Sequence, residues 1–180
     1  MEALQCIETR RSIRNFKDTP VPHDVIEKII KEASFAPSWK NTQVVRYVVI
    51  EDQKIKEEIA NSAVLGFSYN TGTITKAAAL VVVTIIHGRS GYEKDGSATT
   101  SKDDRWEVFD AGIATQTFAL AAHDMGVGSV IMGIFDDEKV GKLINLEEGR
   151  KVAALISLGY PDEEPACPKR KEVSELVRFM

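Results

Sequence analysis

The sequence predicts one domain of mixed helix and strand, either α/β or α+β. Three observations lead there. Helical and strand-like hydrophobic patterns alternate from end to end. Two stretches, Ala78 to Ile86 and Trp106 to Met125, are too apolar to face water and supply one strand and one helix for a core. No repeat, low-complexity tract or Pro/Gly-rich linker divides the chain. These patterns do not set the strand order.

The elements follow in order. Leu4 and Ile7 mark a short first helix. Val25, Ile26, Ile29, Ile30 and Ala33 share one helical face, with Pro22 at its start and Pro37 beyond its end. Val44 to Ile50 is β-branched and contains Tyr47, so it is a strand. Ile55, Ile59 and Ala63 mark an amphipathic helix, and Ala78 to Ile86 a buried strand. Gly88 to Asp104 is the most polar stretch and forms a long surface loop, of a length typical of functional lids. Trp106 to Met125 is apolar nearly all round, which implies burial in a core or a subunit interface, and Gly126 suits its C-cap. Ser129 to Met132 is a short strand, Glu138 to Ile144 a helix and Val152 to Leu158 a strand. The tail from Pro161 to Lys171 has three prolines and runs over a surface.

Composition narrows the function classes. Hydrophobic residues at 43% and charged residues at 28% are ordinary for a globular chain and exclude disorder as the default. Twenty-three Lys and Arg against 27 Asp and Glu leave a net charge of −4, against the basic balance of a general nucleic-acid binder. The opening MEALQCIETRRSIR has no secretory pattern, and no apolar run reaches the ~20 residues of a membrane span. A soluble, cytoplasmic setting is expected. Cys6 and Cys167 form no CxxC, and His23, His87 and His123 have no spacing for a triad or metal site. Gly126-Val127-Gly128 lacks a third glycine and follows a helix, so it is no dinucleotide fingerprint. No phosphate loop or nucleophile elbow occurs. Any catalysis therefore belongs to a cofactor rather than to a protein nucleophile or metal.

Four clusters carry chemistry. Arg10-Arg11-Ser12-Ile13-Arg14 places three guanidiniums and a hydroxyl in five residues, a set suited to phosphate oxygens and carbonyls. Ala36 to Gln43, including Pro37 and Trp39, joins a helix to a strand with many short polar side chains, of which Ser38, Asn41 and Gln43 can bond a heteroaromatic edge. Ile131, Met132 and Gly133 end a strand where a missing Cβ lets a ligand approach backbone. Leu158-Gly159-Tyr160-Pro161 precedes a second basic cluster, Pro168-Lys169-Arg170-Lys171. Two basic clusters in an acidic chain point to one shared anion.

RRSIRNF, APSWKNTQ, AAHDMGVGSVIMGIFD, LGYP and PKRK stand in this order, and together the chain resembles the nitroreductase family of FMN-dependent oxidoreductases from about Ile7 to Lys171. The resemblance implies an α+β fold, a mixed sheet flanked by helices in an intertwined homodimer, with one FMN at each end of the interface. It implies that Arg10, Arg11, Ser12 and Arg14 follow the FMN phosphate, ribityl chain and pyrimidine edge. Lys169 and Lys171 would add phosphate charges, with Arg170 between them. Pro37, Ser38, Trp39 and Asn41 would come from the opposite subunit, supported by Gln43. Asn70 matches the family's flavin-contacting asparagine. Ile131, Met132 and Gly133 would pass the ring, with the Gly133 amide near N5. The implied activity is ping-pong transfer from NAD(P)H to nitroaromatic, quinone-like or similar acceptors. Dehalogenation, flavin storage and binding without turnover are alternatives on the same fold. Trp39 is bulkier than the small residue usual at its position, and Val44-Val45 stands where many members have proline and an aromatic.

Overall fold

Strand β2 (Ala79–Ile86) explains the architecture, since its side chains alternate between two faces and nearly all are buried. Leu80 and Val82 enter one core, while Ala79, Val81 and Val83 enter the other. A strand apolar on both faces needs a layer on each side. The computed structural model, which describes all 180 residues, supplies those layers.

The chain runs α1 (Ala3–Thr9), α2 (His23–Ala33), β1 (Val45–Ile50), α3 (Gln53–Ser62), α4 (Ser68–Lys76), β2, α5 (Arg105–Asp124), β3 (Gly128–Met132), α6 (Asp137–Leu143), β4 (Arg150–Gly159) and α7 (Val173–Leu176). The sheet order is β1-β2-β4-β3. Helices α3, α4 and α6 cover one face through Ile59, Ile74 and Val140. Helices α2 and α5 cover the other through Ile29, Phe118 and Ala122. The fold is α+β. The expected mixed sheet is corrected in one respect: all three strand pairings are antiparallel. The parallel component shrinks to one bridge, Ser12 beside Ser129.

That bridge seats the arginine segment. The Ile13 amide donates to the Ser129 carbonyl at 3.0 Å, and Phe16 bridges to Pro161. Gly128 and Gly159 are register partners in the β3–β4 ladder. A Cβ on Gly128 would stand 2.9 Å from Ile13, and one on Gly159 would stand 2.9 Å from Phe16. Two missing side chains therefore let Ile13 and Phe16 lie on the sheet, buried with Ala77.

Two helices leave apolar side chains exposed. In α1, Leu4 and Ile7 are exposed and Cys6 is the buried residue. In α5, Val108 and Phe109 are 59% and 58% exposed, whereas Glu107 and Asp110 are 0% and 2% exposed. The helix is thus buried along one face of the chain and leaves an apolar stripe, including Ile113, open.

Candidate active site

Five of the expected residues meet. Arg14, Asn70, Ile131, Met132 and Gly133 line one cleft of about 370 Å³, with Phe67 and Tyr69 forming a wall above it. Helix α4 supplies Asn70, whose Nδ2 donates to the Ile134 carbonyl at 3.1 Å and fixes the turn after β3. Gly133 has no neighbour within 4 Å of an added Cβ, so its missing side chain leaves open space. The phenyl and phenol rings of Phe67 and Tyr69 stand 5.7 Å apart, and both side chains are exposed.

A second cleft, about 580 Å³, holds Arg10 and Arg11 with Thr9, Ile13, His123 and Ser129. The guanidinium of Arg11 donates to the Glu8 and Arg10 carbonyls. Arg10 and Arg14 form no ion pair within the chain, although acids outnumber bases. Thr9 spends its hydroxyl proton on the Gln5 carbonyl at 2.7 Å, so His123 Nε2 donates to Thr9 Oγ1 at 2.9 Å. Burial, then the charge of Arg10, hold the His123 pKa below 6.5.

Glu163 was not singled out from sequence, yet it clamps the segment. Its carboxylate accepts from the Arg14 and Asn15 amides and, at 2.8 Å, from Asn15 Nδ2. Burial pushes its pKa up, but those donors outweigh burial and leave it below the ordinary 4.5. The tail is tied here and then leaves: Lys169 and Lys171 are exposed and form no ion pair.

Pro37, Ser38, Trp39 and Asn41 lie elsewhere. Pro37 and Ser38 line a third pocket with Asp110 on α5. Trp39 opens a tight turn in which Lys40, Asn41 and Gln43 all have positive φ, at 45°, 56° and 49°. For residues with a Cβ, each costs roughly 1 kcal/mol. Side chains hold the turn: the Gln43 amide donates to Ser38 Oγ at 3.0 Å, and the Trp39 amide to both Asp110 oxygens at 3.0 and 3.1 Å. The Trp39 ring packs on Trp106, 4.8 Å between centroids. The Gly88–Asp104 loop braces the same turn, through Lys40 to Glu93 at 3.1 Å and Thr42 to Ser90 at 2.6 Å. Glu107 anchors the loop's start, accepting from the Gly88 amide and His87 Nδ1. That stretch, expected at the surface, buries Ser90 completely.

The turn touches α5 at Asp110, and Thr9, immediately before the arginine segment, touches it at His123. Thirteen residues separate those positions, about 20 Å along a helix axis. One chain therefore holds two partial sites near opposite ends of α5. Glu107, Asp110 and Glu163 escaped sequence reasoning because their donors lie far along the chain, 71 positions away for Asp110 and Trp39.

Comparison with known proteins places the chain in a family. The Nitroreductase family pattern matches residues 7–160. A relative from Archaeoglobus fulgidus, named for NADH dehydrogenase or NAD(P)H nitroreductase activity, is 32% identical, covering 91% of this chain and 87% of that one. The NADPH:FMN oxidoreductase of Vibrio harveyi, solved in complex with NAD+, superimposes with a TM-score of 0.84 at 28% identity, over 98% of this chain and 76% of that one. An iodotyrosine deiodinase from Thermotoga neapolitana is 26% identical over 94% of this chain and 93% of its own. No helix is long and apolar enough to cross a membrane. By its motifs, its fold and the match over residues 7–160, this chain belongs to the nitroreductase family.

Proposed function

We propose that this protein is a homodimeric, FMN-dependent oxidoreductase that uses NAD(P)H to reduce nitroaromatic, quinone-like or similar small acceptors by a ping-pong cycle. The observation that carries the proposal is the unpaired arginine segment, seated on the β3 edge beside an open cleft that contains Asn70 and Gly133. These residues fit FMN. Arg10 offers an uncompensated cation for a phosphate, and Arg14 offers one to an electron-rich ring edge. Asn70 is held in place by Ile134, and the space at Gly133 admits a planar ring against backbone.

Bound FMN would supply the hydride-accepting and hydride-donating chemistry. The chain's own contributions are electrostatic and steric. Arg14 would place positive charge beside the ring edge on which reduction adds negative charge. Phe67 and Tyr69 line the cleft with aromatic surface on which a flat molecule would stack. The second copy supplies the Pro37–Asn41 turn, which one chain cannot bring to its own arginine segment. The exposed Val108 and Phe109, with the half-buried Ile113 beside them, give that copy an apolar surface to bind.

Steady-state kinetics test the proposal. NADH or NADPH varied against a benzoquinone or a nitrobenzoate should give parallel double-reciprocal lines. Intersecting lines would contradict the ping-pong cycle, and absence of turnover would favour flavin storage. The deiodinase relative supports a second reading, reductive dehalogenation. Iodide release from iodotyrosine, without quinone or nitro reduction, would select it.

A further inference from the structure

We propose that Asp110 is a positioning residue for the flavin site, acting across the subunit boundary by holding the Trp39 turn in its strained shape. This rests on the proposal that FMN binds between two copies. The carboxylate is buried within α5 and faces only donors: the Trp39 amide reaches both oxygens, and Ser90 Oγ reaches Oδ2 at 2.6 Å. Ser90 must donate there, because an ionised carboxylate only accepts. The Thr42 hydroxyl therefore donates to Ser90, at 2.6 Å. The result is a directed chain from Thr42 through Ser90 to Asp110, whose members strengthen one another in a buried setting. It fixes the turn at Trp39 and at Thr42, on both sides of the left-handed pair Lys40 and Asn41.

The relay explains an otherwise unfavourable arrangement. Three residues with side chains occupy the left-handed region within four positions, and a carboxylate is buried without a cation partner. A turn without left-handed residues would connect α2 to β1 without the first cost. Strain of this kind persists where surrounding structure over-determines it and concentrates at ligand sites. The relay holds Ser38, Trp39 and Asn41 in a fixed presentation, so that ordering the turn is not left to the moment of flavin binding.

Asp110→Asn keeps the shape but leaves one oxygen for donors that now share two. We expect FMN to bind the Asp110→Asn dimer about tenfold or more weakly, and the Ser90→Ala dimer about threefold to tenfold weakly. The decisive experiment is subunit complementation. A chain carrying Arg10→Ala and Arg14→Ala is co-expressed with an Asp110→Asn chain, each with its own tag, and the doubly tagged dimer is purified. One of its sites combines both defects, while the other combines an intact arginine segment with an intact turn. At an FMN concentration that leaves both variant homodimers nearly empty, the mixed dimer should load about half the wild-type flavin and recover its visible spectrum. A merely structural role for Asp110 would not give that recovery.

A mixed dimer that stays empty, or an Asp110→Asn homodimer that loads like wild type, overturns the assignment of Asp110. Wild-type chains that bind no FMN, or whose two tags never co-purify, overturn the underlying two-copy reading instead. If Asp110→Asn does not fold, Ser90→Ala takes its place in the same mixed dimer with the same two outcomes.

Discussion

Gly128→Ala tests how the arginine segment is seated. Gly128 does not have positive φ, so alanine is allowed by the backbone and the cost is steric. The new methyl would meet Ile13 Cβ, Cγ1 and Cγ2 at 2.9, 2.9 and 3.0 Å. Ordinary carbon contacts need about 3.5–4.0 Å, so Ile13 must retreat by roughly 0.5–1 Å. Those atoms are the branch point of a stiff side chain and cannot rotate away. Overpacking of this kind costs about 1–3 kcal/mol. Retreat also strains the 3.0 Å bond from the Ile13 amide to Ser129, worth about 0.5–1.5 kcal/mol. The sum, about 1.5–4.5 kcal/mol, corresponds to a Tm lower by roughly 3–18 °C for a domain of this size. Thermal unfolding followed by circular dichroism measures it, with Gly133→Ala as control. Gly133 has open space and no positive φ, so in flavin-free protein that variant should be neutral or gain about 0.4–1 kcal/mol. Equal Tm values for the two variants would refute the seating argument.

Further outcomes follow from the same geometry. Arg10→Ala should weaken FMN retention by about 1.5–3 kcal/mol without changing the far-ultraviolet spectrum; unchanged occupancy in an equilibrium titration would remove Arg10 from the phosphate site. Phe109→Asp should leave a folded monomer, because the side chain is exposed in the single chain, and sedimentation would reveal a retained dimer. His123 has a folded pKa below its ordinary 6.5, so the unfolded chain takes up a proton first as pH falls. Stability should therefore decline below about pH 6.5 until the depressed value is reached, and His123→Gln should flatten that limb of a urea-midpoint profile. Glu163 works in the opposite part of the scale. Its depressed pKa contributes stability above its ordinary 4.5 that is lost as pH falls through the lower folded value, and Glu163→Gln should remove that acid sensitivity.

Legibility of the sequence depended on whether the determining contacts were local. Strand β2 was visible because both its faces are apolar, and α2 because one face is. Helix α4 was not visible. Its sequence, SYNTGTITK, is polar and threonine-rich, and it is held by contacts such as Thr71 Oγ1 to the Ala60 carbonyl at 2.9 Å. Hydrophobic periodicity marked α5 as apolar nearly all round, and it carried no sign that Glu107 and Asp110 face inward to satisfy loop donors. The arginine segment, Asn70 and the Ile131–Gly133 stretch were legible as chemistry, and Arg14, Asn70 and that stretch meet in one cleft. Of the glycine pair beneath them, Gly128 was legible only as part of an incomplete dinucleotide pattern and Gly159 only as part of LGYP. The pair's purpose, admitting Ile13 and Phe16, needs the strand register. Lys169 and Lys171 were expected beside Arg10, but the tail releases them to solvent beyond Glu163.

The central claim is that two copies of this chain enclose a flavin that nicotinamide can reduce. Anaerobic titration of the purified protein with NADH and NADPH, followed in the visible spectrum, tests it most directly. A yellow protein with one FMN per chain, bleached by one of the two nucleotides and restored by a quinone, is the expected result. A colourless protein that takes up no FMN, or a bound flavin that neither nucleotide bleaches, would contradict it.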